Sequence, residues 1–124
     1  MIYGIGVDLI EIDRIRQAIE RNGQRFIDRI YTDTEQAYCS QRASYACYAA
    51  RFTAKEALLK AFGTGLRKGM RWRDIEVRTD ALGKPSLHLY GFLQEQFQFN
   101  ALRHIHLSLS HSSAYAVAQV IIEH

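Results

Sequence analysis

The stretch from residue 34 to residue 65 reads TEQAYCSQRASYACYAARFTAKEALLKAFGTG, and it decides the fold. It has no glycine or proline up to Phe62 and is rich in alanine, the best helix former. We therefore predict the main helix of the protein here, either continuous or broken near residues 40 to 44. The glycine-threonine-glycine run at residues 63 to 65 predicts a sharp end to this helix.

The segments on either side of this helix predict strands and shorter helices. The N-terminal side predicts a strand over residues 2 to 7 that ends at Asp8, a helix from about residue 12 that stops at Asn22-Gly23, and a short helix over residues 26 to 30. The C-terminal side predicts a hairpin of residues 75–78 and 86–90, a helix over residues 92–99, and a hairpin of residues 105–110 and 115–122. This order predicts an α+β fold with an antiparallel sheet packed against helices.

The length and composition restrict the class of protein. A chain of 124 residues with 48% apolar and 23% charged residues predicts a single domain over residues 1–124 and excludes disordered, collagen-like and coiled-coil proteins. No apolar run approaches the roughly 20 residues that span a bilayer, and no basic leader precedes the first strand. We therefore expect a cytoplasmic protein without a membrane partner. Cys39 and Cys47 lack metal-ligand spacing, so we expect reduced thiols and no disulfide scaffold.

The charged residues favour an anionic partner. Sixteen basic and thirteen acidic residues give a net charge of +3, which is too small to indicate nucleic-acid binding by itself. Twelve of the sixteen basic residues are arginines, whose planar guanidinium suits bidentate contacts with phosphate and carboxylate groups. An ordinary solvated surface is the alternative.

Glu56 is the first candidate for chemistry, because helical spacing places its carboxylate among apolar residues. Phe52 and Leu59 lie one turn before and after it on the same side of the predicted helix. Burying an unpaired charge there is costly. One interpretation is an ordinary Glu56–Lys60 helix pair. The other is that Glu56 faces a polar site in which Lys60 binds an anion.

Asp8, at the predicted end of the first strand, is the second candidate. One interpretation is helix capping, since Asp8 to Glu11 matches the capping-box spacing. The other is a metal ligand. If Asp8 and Glu56 converge, two carboxylates together with waters and substrate phosphates make a typical magnesium site. The sequence does not show that they converge.

Three further segments carry polar groups that suit phosphate or protein partners. The turn of Gly63, Thr64 and Gly65 can offer backbone N–H groups to phosphate, or it can simply cap the helix. The strand face with His106, Ser108 and Ser110 is rich in donors, or it is solvent-exposed. If the first helix continues past Gly23, Arg14, Arg21 and Arg25 form a basic face that either docks an acidic protein helix or is solvated.

Taken together, these segments resemble one family, the small phosphopantetheinyl transferases called holo-acyl-carrier-protein synthases. The resemblance covers nearly the whole chain. It rests on Gly6-Val7-Asp8 followed by Arg14, on the run from Arg51 to Gly65, on Gly83-Lys84-Pro85, and on Ser108 to Ser112. Thr53, where the family usually has alanine, and the loop around residues 66 to 73 depart from the family pattern. We expect neither to touch a functional role.

The resemblance implies an enzyme that transfers the 4'-phosphopantetheine arm of coenzyme A to a serine of an apo acyl carrier protein. The reaction would release adenosine 3',5'-bisphosphate and require magnesium. By matching position, Asp8 and Glu56 would bind the metal, and Lys60 would steady charge on the leaving phosphate. Glu56, alone or through a metal-bound water, would be the base for the serine proton.

The resemblance also implies how the two substrates bind. The coenzyme A site would be lined by Gly63, Thr64, Gly65, Lys84, Pro85, Ser108, Ser110 and His111. Arg14, Arg21 and Arg25 would meet the acidic helix of the carrier protein. The family is a homotrimer with active sites between subunits. The carrier can belong to fatty-acid, polyketide or peptide synthesis, and a stand-alone chain of this type points to the fatty-acid carrier.

Two other functions stay open at this point. A non-catalytic coenzyme A or nucleotide-binding module would keep the phosphate-binding residues without needing both Asp8 and Glu56. A small basic nucleic-acid binder is motivated by the arginines and by seven tyrosines. No recognised RNA-binding motif is present, however, so we expect no nucleic-acid partner.

Overall fold

The computed structural model describes residues 1 to 124, with five strands, five α-helices and one short 3-10 turn. In chain order the elements are β1 (Ile2–Glu11), α1 (Ile12–Asn22), α2 (Gln24–Ile30), α3 (Asp33–Ser40), α4 (Ala46–Phe62), a 3-10 turn (Trp72–Asp74), β2 (Ile75–Thr79), β3 (Pro85–Leu89), α5 (Gly91–Phe99), β4 (His104–His111) and β5 (Tyr115–Glu123). The alanine-rich stretch is thus two helices, α3 and α4, broken in the predicted region.

The strands form two antiparallel sheets. The larger has the order β1-β5-β4, and the smaller is the β2–β3 hairpin. This confirms the predicted α+β class and both hairpins. One prediction was wrong: β1 does not end at Asp8 but continues to Glu11, because Asp8 pairs with Ala118 of β5 and the ladder runs on to Tyr115. Asp8 is therefore an interior strand residue.

Helix α4 packs against one face of the larger sheet, and glycines in β1 allow it to approach closely. A Cβ atom at Gly4 would lie 1.9 Å from the carbonyl oxygen of Ala61, and one at Gly6 would lie 1.9 Å from that of Ala57. Only residues without a Cβ fit at these two positions. Small alanines on α4 complete this contact, and Val120 of β5 packs into the same buried core.

The opposite face of the larger sheet has no helix over it. Residues that lie directly opposite one another on neighbouring strands share a face. The register therefore places nine alternate residues here, which we call the open sheet face: Ile5, Val7, Leu9, Val117, Gln119, Ile121, His106, Ser108 and Ser110. The β1 members are strongly exposed for apolar residues, with Leu9 at 62%.

The prediction of two reduced thiols was wrong. Cys39, near the end of α3, and Cys47, in the first turn of α4, form a disulfide with their Cα atoms 5.5 Å apart. The break between the two helices turns the chain back on itself and brings the sulfur atoms together. The spacing of the two cysteines in the sequence did not predict this disulfide, because the distance between them depends on how the axes of α3 and α4 are placed.

No helix of the structure is both long enough and apolar enough to cross a membrane.

The first predicted helix ends where its stop signal lies. Gly23 adopts a positive φ of 61°, and a separate helix begins at Gln24.

Candidate active site

The contact between β1 and α4 places Asp8 beside the middle of the helix. Along β1, every second residue faces α4, and each step of two strand residues corresponds to one helical turn. Gly4 meets Ala61 and Gly6 meets Ala57. The next inward residue, Asp8, meets Thr53, one turn earlier on the helix.

Asp8 accepts a hydrogen bond on each carboxylate oxygen. The Lys60 ammonium donates to Oδ1 at 2.9 Å, and the Thr53 hydroxyl donates to Oδ2 at 2.6 Å. Lys60 also donates to the carbonyl oxygen of Val7 at 3.1 Å. Asp8 does not cap a helix, because the N-cap of α1 is Glu11, so the capping interpretation was wrong. Thr53, which we expected not to touch a functional role, is thus in contact with a candidate site residue. This contact depends on a helix-strand register that the sequence does not display.

Glu56 lies close to this cluster without an ion-pair partner of its own. The alternative of a Glu56–Lys60 helix pair was wrong, because Lys60 turns to Asp8 instead. Partial burial raises the pKa of Glu56, and the negative charge of Asp8 raises it further, while the positive charge of Lys60 lowers it. A carboxylate with a raised pKa is better suited to accept a proton near neutral pH than an ordinary glutamate.

The two carboxylates open into one cavity of about 380 Å³, which we call the carboxylate cavity. Its other lining residues are Arg14 and a set of apolar residues, namely Leu9, Ile10, Ile15, Ala18, Phe26 and Phe52. The convergence of Asp8 and Glu56, which the sequence left open, is therefore present in the structure. The cavity combines an acidic pair with an apolar wall.

The donor set suits one kind of metal ion. No group of three or more His, Cys, Asp or Glu side chains is placed to hold an ion, so a complete site built from protein ligands is absent. Two neighbouring carboxylates, one of them with a pKa raised partly by the other, have negative charge that a cation would offset. Magnesium is commonly held by one or two carboxylates, with waters and substrate phosphates as its other ligands.

The glycine turn after α4 mainly caps the helix. The N–H of Gly63 donates to the carbonyls of Leu59 and Lys60, and the N–H of Thr64 also donates to Leu59. These two amides are therefore occupied and not free for a phosphate. The turn still begins three residues after Lys60, at the end of α4 that faces the start of β1.

A second cavity, of about 480 Å³, lies near the hairpin loop and contains two of the predicted coenzyme A residues, Pro85 and His111. We call it the arginine cavity, because Arg42 and Arg51 line it and both guanidinium groups stack on the ring of Tyr38.

Arg51 is the residue that the sequence interpretation missed in this cavity. Its side chain is buried, burial lowers its pKa, and its Nε has no hydrogen-bond partner. One guanidinium nitrogen donates to the Thr79 hydroxyl at 2.9 Å. An unpaired buried donor next to a second arginine is a suitable anchor for an anion. The sequence feature that could have identified Arg51 is a single arginine in an otherwise alanine-rich helix segment.

The other predicted site residues are dispersed. Ser108 and Ser110 lie on the open sheet face, away from both cavities, and Lys84 is exposed in the β2–β3 turn. Arg14 lines the carboxylate cavity. Arg21 is in the last turn of α1, but Arg25 lies in the separate helix α2, so the premise of one continuous basic helix was wrong.

Comparison with known proteins shows the family of this chain. Residues 4–120 match the family model of the 4'-phosphopantetheinyl transferase superfamily. The chain is 49% identical to a holo-[acyl-carrier-protein] synthase of Solibacter usitatus, over 99% of both chains. Its fold is similar to that of the holo-[acyl-carrier-protein] synthase of Neisseria meningitidis, with a TM-score of 0.93 and 36% identity over the full length of both chains.

A third relative was solved with a ligand. The holo-(acyl-carrier-protein) synthase of Bacillus anthracis, in complex with CoA (3',5'-ADP), matches with a TM-score of 0.83 and 40% identity, covering 99% of this chain and 97% of that one. The chain therefore belongs to the 4'-phosphopantetheinyl transferase superfamily and, within it, to the holo-[acyl-carrier-protein] synthases. It is an enzyme of the transferase class.

Proposed function

We propose that this protein, as one domain over residues 1–124, transfers 4'-phosphopantetheine from coenzyme A to a serine of an apo acyl carrier protein. The serine oxygen would form a new bond to phosphorus while the bond to the leaving group breaks, releasing adenosine 3',5'-bisphosphate. The observation that carries the proposal is the shared cavity of Asp8 and Glu56, with Lys60 bound to Asp8. The relatives' names and the coenzyme A complex of one of them support the substrate pair.

Asp8 and Glu56 would hold magnesium, which when bound supplies positive charge against the pyrophosphate of coenzyme A. Phosphoryl transfer needs positioned charges and no protein nucleophile, which suits this set of residues. Lys60, whose side chain is 55% exposed, can extend its charge to the leaving phosphate. The raised pKa of Glu56 supports a role in accepting the serine proton.

The proposed coenzyme A site extends beyond a single chain. The arginine cavity and the carboxylate cavity lie on different sides of α4, with Arg51 lining one and Phe52 the other. A homotrimer offers a way for one subunit's arginine cavity, with Pro85 and His111, to complete a neighbour's carboxylate cavity. The exposed apolar residues of the open sheet face support such an assembly, because large exposed apolar patches mark interaction surfaces.

The carrier protein would bind beside the carboxylate cavity. Arg14 lines this cavity, so a negatively charged helix held by Arg14 and Arg21 would bring its serine to Asp8 and Glu56. We extend the proposal to Arg25 on α2, and to the fatty-acid carrier as the acceptor.

The proposal also includes a cytoplasmic location. The Cys39–Cys47 disulfide argues against it, because disulfides are rare in reducing compartments. Thiol counting on protein isolated from cells under alkylating conditions distinguishes the two cases. A count of two free thiols would support a cytoplasmic location. A count of zero free thiols would contradict it.

The test of the active site is substitution of each carboxylate. We expect Asp8→Asn and Glu56→Gln each to lower the transfer rate by about 100-fold or more, since each removes a charge placed at the reacting group. Thermal unfolding should change little. Asp33→Asn, at an aspartate whose side chain is 94% exposed, is the matched control and should keep full activity. A large loss of thermal stability with unchanged specific activity of the folded fraction would contradict the assignment.

A further inference from the structure

Thr53 is buried at the one place where α4 meets the carboxylate of Asp8. Its side chain has no exposed surface, and its hydroxyl donates to Asp8 Oδ2 at 2.6 Å. This distance is in the range of hydrogen bonds from a hydroxyl to an ionised carboxylate. A threonine inside a helix can instead donate to the carbonyl four residues earlier. Here the hydroxyl has turned away from its own helix to the strand.

The two hydrogen bonds to Asp8 differ in rigidity. Lys60 reaches Oδ1 with a long side chain that is 55% exposed. Thr53 is β-branched, fixed in its helix and closed off from solvent, so its hydroxyl has few alternative positions. An ionised carboxylate accepts about four hydrogen bonds or metal contacts. The bonds from Lys60 and Thr53 use two of these positions and leave the others for a cation and its waters.

Thr53 also shares a helix face with Glu56 and Lys60. Glu56 is three residues and Lys60 seven residues further along α4, the spacing of one side of a helix. The face presents a hydroxyl, a carboxylate and an ammonium group in succession toward β1. The close approach that Gly4 and Gly6 permit fixes the distance between this face and Asp8.

We propose that Thr53 is a positioning residue, which holds Asp8 in the orientation that binds the divalent cation of the transfer reaction. This inference rests on the proposed function above. Partners that orient a metal-binding side chain typically change metal affinity or activity by 10- to 100-fold when removed. Loss of the Thr53 hydroxyl should act in the same way, through Asp8 and without contact with either substrate.

The experiment measures binding of Mn²⁺, a paramagnetic substitute for Mg²⁺, to the whole protein by electron paramagnetic resonance, with and without coenzyme A. Thr53→Val keeps the shape of the side chain and removes the hydroxyl, and we expect it to weaken Mn²⁺ binding about 10-fold. Thr53→Ser restores a hydroxyl and should bind within about 2-fold of the wild type. Thr34→Val, at an exposed position on α3, is the control and should change nothing.

Several results would overturn the inference. Equal Mn²⁺ affinity of wild type and Thr53→Val would do so, as would equal weakening by Thr53→Val and Thr53→Ser, which would assign the effect to packing. Absence of Mn²⁺ binding in the wild type would do so too. If Thr53→Val does not fold, Thr53→Ala tests the same loss of hydroxyl.

The same proteins separate this inference from the proposed function. In a transfer assay titrated with Mg²⁺, Thr53→Val should need about 10-fold more metal while keeping its maximal rate within about 2-fold. A wild type that binds Mn²⁺ in a Thr53-dependent way but transfers no phosphopantetheine would overturn the proposed function and leave the positioning role standing.

Discussion

Lys55 and Glu56 are neighbours in α4, yet the helix sends them into opposite environments. Glu56 opens into the carboxylate cavity, whereas the Lys55 side chain is fully buried. Its ammonium donates to Glu35 and to the carbonyls of Ile30 and Trp72, at 2.7, 2.7 and 3.2 Å. Burial lowers the pKa of Lys55, and the charge of Glu35 opposes that effect. All three ammonium donors are used, so Lys55 ties α2, α3 and the 3-10 turn to α4.

This network predicts a large stability effect for a residue that takes no part in the chemistry. Lys55→Met should lower the free energy of unfolding by about 3 to 5 kcal/mol, because it leaves the Glu35 carboxylate buried without its charged partner. Denaturant unfolding measures the change, with Lys68→Met in the exposed loop as control. A loss below about 1 kcal/mol would show that the Lys55–Glu35 pair adds little to the free energy of unfolding.

At the residue scale, the sequence predicted the chemistry better than the supporting contacts. Glu56 could be recognised because a carboxylate on an apolar helix face needs an explanation, and Lys60 because it lies one turn away. The roles of Thr53, Arg51 and Lys55 depend on which elements pack against α4. No periodicity within the helix carries that information.

At the element scale, the packing of β1 on α4 is the feature that builds the site. The close approach at Gly4 and Gly6 brings Asp8 onto the helix face that bears Glu56. The sequence located both elements. It placed the end of β1 three residues early, because Asp8 looks like a strand end or cap until β5 is available to pair with it.

Gly6→Ala tests this packing. The added Cβ would lie 1.9 Å from a backbone oxygen of α4, which cannot rotate away as a side chain would. We expect a loss of about 3 kcal/mol in the free energy of unfolding, with reduced transfer activity in the folded fraction. Thermal unfolding and specific activity measure the two effects. Wild-type values for both would mean that strand and helix are further apart than described.

Helix α1 carries the prediction for the carrier protein. Arg14→Glu should raise the KM for the carrier protein by about 10-fold or more, since it sets like charges against each other, and it should spare coenzyme A binding. Arg16→Glu, on the same helix but paired with Asp13 and Glu20, is the control. Steady-state kinetics with each substrate varied in turn gives the answer. An equal rise in the KM for both substrates would mean that Arg14 is a structural residue.

At the scale of the whole molecule, the open sheet face and the separation of the two cavities support the proposed assembly of subunits. Ile121 lies on the central strand β5, between Ile5 of β1 and His106 of β4 on this face. Ile121→Lys should convert the proposed trimer of 14.3 kDa chains to monomers and reduce transfer strongly, because a buried, unpaired charge would destabilise the interface. Light scattering reports the mass. A fully active wild-type monomer would refute the shared active site.

The sequence could not predict the assembly from physical reasoning alone. The polar strand face with His106, Ser108 and Ser110 is equally typical of an ordinary exposed sheet. The expectation of a trimer came from the family resemblance. The uncovered apolar residues Ile5, Val7 and Leu9 are the physical observation that supports it.

The proposed function is a metal-dependent transfer of phosphopantetheine that Asp8 and Glu56 support. Its most direct test is intact-mass spectrometry of an apo acyl carrier protein incubated with this protein and coenzyme A, with magnesium or with excess chelator. We expect a mass gain of one phosphopantetheine group with magnesium and none with chelator. No gain with any of several carrier proteins, or an equal gain in the presence of chelator, would contradict it.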